Sequence, residues 1–114
     1  MSTLRLKNSF LTFGYMRIWI ASVHAVPREG NTDFVGAKGV VVNVLARAPS
    51  AAAYRRQVAP AVGEYGLDVV DIEDLEEFTF AASATAEFER LSVLARKVEK
   101  EGGVEFDVFY TYDE

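Results

Sequence analysis

The chain has 114 residues, half of them hydrophobic and a quarter charged, which predicts one globular domain with its own core. Its net charge of −5 argues against nucleic acid as a partner, because the field of the protein repels phosphates. The absence of cysteine excludes disulfides, thiolate nucleophiles and cysteine-ligated zinc, and it favours the reducing bacterial cytoplasm.

The first fifteen residues carry only scattered apolar positions. An apolar stretch over 10–20 is interrupted by Arg17, which makes it too short for a signal peptide or a membrane span. We therefore expect a cytoplasmic protein without membrane contact. Residues 1–15 are interpreted as an extension that is dispensable for folding, with Met16 as an alternative natural start. Residues 16–114 are predicted to form a single α+β domain.

The first half of this domain reads as two strands. Residues 17–26 are rich in β-branched and aromatic types and end at Pro27, and both of their faces are apolar, as in a central strand. Residues 39–47 form the second apolar run. The two strands are predicted to pair antiparallel across the loop at 27–38.

A helix is predicted next, from Ser50 to Gly66. Ser50 suits the N-cap and Gly66 suits the end, while Pro60 is expected to kink the helix or end its first half. The apolar stripe consists of Tyr54, Val58, Ala61, Val62 and Tyr65. The third strand, 67–72, is predicted to lie parallel to the second through a right-handed crossover.

The last part of the chain holds an ambiguous segment, a helix and a strand. Residues 73–82 are interpreted as a loop with strand character near Phe78, which leaves open whether 75–81 form a fifth strand. A helix from Ser83 or Thr85 to Gly102 places Leu91 and Val98 toward the sheet. Residues 104–112 alternate, so Phe106, Tyr110 and Tyr112 are predicted to share one face of a final strand.

These elements predict an α+β fold: a two-layer sandwich of ferredoxin-like character, in which two helices cover one face of a mixed sheet of four, possibly five, strands. The other sheet face would then be apolar and uncovered. We therefore expect a homodimer in which a second copy covers that face.

Four residues are candidates for a site. His24 is the only histidine and thus the candidate catalytic base, although a structural strand-end histidine explains it more simply. Trp19, Tyr110 and Tyr112 carry large rings that could line a ligand pocket or a dimer contact. With one histidine and no cysteine, neither a metal site of the usual type nor a cofactor is predicted.

An acidic run follows the third strand. Its carboxylates suit a solvated edge, a divalent cation or a surface that imitates a polyanion; they are Asp68, Asp71, Glu73, Asp74, Glu76 and Glu77. Asp71 and Glu73 would form an acid–base pair if they lay close together. The Gly-Ala-Lys-Gly run at 36–39 lacks the context of a phosphate loop and is interpreted as a turn.

Three functions remain open from these residues. The first is a non-catalytic binding or interaction module, homodimeric, for a protein or small ligand. The second is a small enzyme with a cleft on the sheet that uses His24. The third is an acidic immunity or antitoxin-type protein that neutralises a basic partner.

Overall fold

The structure is a computed structural model that describes residues 16–80 and 85–113. The prediction for residues 1–15 lies outside this range. The described elements are β1 (Arg17–Pro27), β2 (Gly39–Ala48), α1 (Ala51–Gly63), β3 (Leu67–Glu77), α2 (Ala86–Glu101) and β4 (Val104–Tyr112). None of the helices in the described part is long and apolar enough to cross a membrane.

The four strands form one antiparallel sheet in the order β3-β1-β2-β4. The predicted antiparallel pairing of the first two strands is confirmed. The predicted mixed sheet is wrong, because β3 runs in the direction of β2 but lies beyond β1, against which it pairs antiparallel. The predicted loop at 73–82 is wrong in its first part, because residues 73–77 extend β3; residues 78–80 form no strand, so the expected strand character near Phe78 is wrong too.

The two helices lie on opposite faces of the sheet. Tyr54 and Val58 of α1 pack on the face formed by Val23 and Val42. Ala95 and Val98 of α2 pack on the other face, against Ile18 and Leu45. We call these the α1 face and the α2 face. The prediction of two layers with both helices on one face is therefore wrong. Because β1 and β2 are apolar on both sides, each side requires a cover.

Partly buried polar contacts cap α1 and attach α2 to the sheet. Ser50 caps α1 by accepting a hydrogen bond from the Ala53 amide at 3.1 Å, and α1 continues through Pro60 to Gly63. On α2, Arg90 donates to both carboxylate oxygens of Asp107 at 2.6 and 3.1 Å. This pairing lowers the pKa of Asp107, which is otherwise raised by burial. It ties α2 to one end of its face.

A bulge in β4 divides the aromatic residues of this strand. Phe106 lies opposite Val44 and Phe109 opposite Val42, so two residues of β4 face Asn43 alone. Phe106 consequently packs on the α1 face against Tyr65, with ring centroids 5.0 Å apart. Tyr110 and Tyr112 lie on the α2 face, and the prediction that all three share one face is wrong.

Candidate functional site

The α2 helix leaves half of its sheet face uncovered. The strand register places Asp71, His24, Val41 and Tyr110 side by side across the four strands in this half. His24 and Val41 are half-buried, whereas Asp71 and Tyr110 are exposed. We call this uncovered half the open patch. Its other members are Ser22, Val26, Gly39, Glu73 and Tyr112.

A histidine–tyrosine pair lies at the centre of the open patch. The Tyr112 hydroxyl and His24 Nε2 are hydrogen-bonded, and the two ring centroids are 5.4 Å apart with the planes tilted by 51°. Which of the two groups donates depends on the tautomer of His24. The contact joins β1 to β4, two strands that are separated by β2.

Gly39 makes this contact possible. It lies on β2 directly opposite Tyr112, and a Cβ at this position would overlap the tyrosine ring. With hydrogen in place of a side chain, the ring crosses β2 and reaches His24. This role of Gly39 was not predicted from the sequence, because residues 36–39 were interpreted only as a turn.

A pair of carboxyl groups borders His24 on the other side. Asp71 lies opposite His24 and Glu73 opposite Ser22, so the proximity required for an acid–base pair is present. The hydrogen bond to Asp71, together with the charge of Asp71, raises the pKa of Glu73. The two carboxyl groups therefore lie close enough to interact.

The structure separates Trp19 from the other candidate residues. Trp19 lies on the α1 face, where its indole N–H donates to the Ala48 carbonyl at 3.1 Å. His24, Tyr110 and Tyr112 are brought together on the opposite face. These three residues share one face, and they are therefore the residues from which a site can be built.

The loop between β1 and β2 forms an open depression of ≈ 430 Å³ next to Tyr112. It is lined by Asp33, Phe34, Val35, Gly36, Ala37, Thr111, Tyr112 and Asp113.

Asn31 holds the loop between β1 and β2 in place. Its amide donates to the carbonyls of Tyr65 and Gly66 at 2.9 and 2.8 Å, and its side-chain oxygen accepts from the amides of Asp33 and Phe34 at 2.8 and 3.0 Å. The Asn-Thr-Asp run, typical of such turns, was the available signal.

Within residues 16–80 and 85–113, no group of three or more histidine and carboxylate side chains could hold a metal ion. No protein-family model, curated protein or solved structure matches this chain. The open patch offers aromatic rings, a histidine and two carboxyl groups to a ligand from solvent.

We expect Gly39→Ala to separate Tyr112 from His24, because the new methyl group occupies the space of the tyrosine ring. The imidazole proton signals of His24 in NMR spectra should shift in this variant. Tyr112→Phe is the matched control, since it removes the hydroxyl but leaves the ring over Gly39. Unchanged His24 signals in Gly39→Ala would show that the ring does not cross β2 as described.

Proposed function

We propose that the chain is a non-catalytic binding module, and that its open patch recognises a positively charged group on a protein or small ligand. The observation that carries this proposal is the position of the Asp71–Glu73 pair beside the His24–Tyr112 pair on an uncovered sheet face. Carboxylates and tyrosine rings both attract cations, the rings through their negative faces.

Among residues 16–80 and 85–113, the ion pairs around the open patch do not include Asp71 or Glu73. Arg28 is bound to Asp68 at 2.8 Å, and Arg90 is bound to Asp107 at 2.6 Å. These cations therefore neutralise other carboxylates. A net charge of −5 also attracts a cationic ligand from a distance.

Binding fits the open patch better than catalysis does. The His24–Tyr112 pair lies on an exposed surface, whereas acid–base catalysis gains most from a site that excludes water. One observation favours the second candidate, a small enzyme: Glu73, with its raised pKa, and the Tyr112 hydroxyl lie on either side of His24. If the protein is an enzyme that uses His24, the His24→Asn variant should remain folded and its catalytic rate should fall about a hundredfold.

We expect the arginine derivative N-acetyl-arginine amide to bind at the open patch. In ¹H–¹⁵N NMR titrations of the whole chain, the amide signals of His24, Asp71, Glu73 and Tyr112 should shift. The neutral analogue N-acetyl-glutamine amide should leave them unchanged. The double variant Asp71→Asn/Glu73→Gln should weaken binding by about tenfold, the effect of losing roughly 1.4 kcal/mol of interaction.

The matched control is Glu99→Gln/Glu101→Gln, which removes the same two charges from exposed positions at the end of α2. Equal weakening by both double variants would mean that only net charge attracts the probe. Shifts of the same size with the neutral analogue would contradict recognition of a cation.

A further inference from the structure

The two edges of the sheet differ in chemistry. Edge strands present unpaired backbone groups that can pair with another strand, and proteins protect such edges with charges and bulges. The edges here are β3 and β4. In the described part of the chain, no strand pairs with the outer side of either one.

The β3 edge is protected against strand pairing. Six of its eleven residues are acidic, so a second β3 strand would bring like charges into opposition. Its register against β1 shifts at two points, and Asp74 adopts a left-handed backbone conformation with φ 56°. These irregularities prevent a regular ladder on the outer side.

The β4 edge lacks the dense acidic charge of β3, and it has a single bulge, opposite Asn43, where β3 has two register shifts and a left-handed residue. Its two carboxylates are neutralised within the chain: Glu105 lies 3.3 Å from Lys97 and Asp107 lies 2.6 Å from Arg90. The other residues are apolar, aromatic or threonine. Val108 is 47% exposed and Tyr110 is 59% exposed. A strand that approaches β4 therefore meets no uncompensated charge.

We propose that the protein forms a twofold dimer in which the β4 strands of two copies pair antiparallel and join the two sheets into one of eight strands. A second copy is the occupant because an exposed strand edge can pair with another strand, and because two β4 edges whose carboxylates are already bound to Arg90 and Lys97 meet without opposing free charges. The dimer also places the acidic β3 edges at the two far ends, where the repulsion between copies is weakest. This contact replaces the whole-face dimer predicted from sequence, since α2 occupies half of that face.

Sedimentation equilibrium of the full chain at micromolar concentration tests this proposal. The expected mass is twice the 12.6 kDa of one chain. Val108→Lys places a charge on the β4 edge and should raise the dimer dissociation constant by about tenfold or more, which corresponds to roughly 1.4 kcal/mol per tenfold step. Tyr110→Lys should do the same and serves as a second variant if the first does not fold by circular dichroism.

Val70→Lys is the matched control, because Val70 is 53% exposed on the opposite edge strand, β3. The dimer should survive this change. A monomeric parent chain would overturn the proposal. A dimer that Val70→Lys disrupts and Val108→Lys does not would place the contact at the other edge and would overturn it as well.

Discussion

Tyr54→Ala is expected to lower the free energy of unfolding by about 3–5 kcal/mol, as for other large aromatic side chains removed from a core. The Tyr54 side chain is fully buried, at 0% exposure, between α1 and the sheet. Its hydroxyl donates a hydrogen bond of 2.7 Å to the Val44 carbonyl. Burial also raises the pKa of this hydroxyl, so it stays a donor through the ordinary pH range.

Two further variants separate the contributions at this position. Tyr54→Phe keeps the ring and should cost about 1 kcal/mol, the net value of one hydrogen bond. Arg55→Ala, at the exposed neighbouring position, should change stability by less than about 0.5 kcal/mol. Urea denaturation measures all three. A small loss for Tyr54→Ala would mean that α1 does not dock on this face of the sheet.

The elements themselves could be predicted from local sequence. Strand composition and the stop at Pro27 identified β1, and Ser50 identified the start of α1. The start of α2 was predicted at Ser83 or Thr85, and Thr85 is the cap. These signals operate within a few residues. Pro60 was expected to kink the first helix or to end its first half. It instead lies in the last turn of α1, which ends three residues later.

The arrangement of the elements could not be predicted in the same way. Neighbouring strands in sequence are usually neighbours in a sheet, yet α1 carries the chain across β1 before β3 pairs. The apolar residues on both faces of β1 were visible in the sequence and indicated that both faces require a cover. They did not show that each of the two helices covers one face.

The candidate site was predictable only in part. His24, Tyr110 and Tyr112 stood out as residue types, but their meeting depends on the β4 bulge, which moves the tyrosines onto the face of His24. A bulge leaves no reliable pattern in a single sequence, since one added residue merely shifts the alternation. The role of Gly39 could not be predicted either, because it depends on the Tyr112 ring that crosses β2 at this position.

The last prediction tests the division of the α2 face into a covered and an open half. Leu45→Ala should lower the free energy of unfolding by about 2–5 kcal/mol, because Leu45 is fully buried, at 0% exposure, beneath Ala95 and Val98 of α2. Val41→Ala alters the same face of the same strand, but within the open patch, where the side chain is only half-buried. That variant should cost about 1 kcal/mol, in proportion to the smaller apolar area it removes from the core. Urea denaturation of both variants, monitored by circular dichroism, gives the comparison. Equal losses would show that the patch around His24 is as closely packed as the region under α2, and a patch packed in this way could not serve as the ligand surface proposed above.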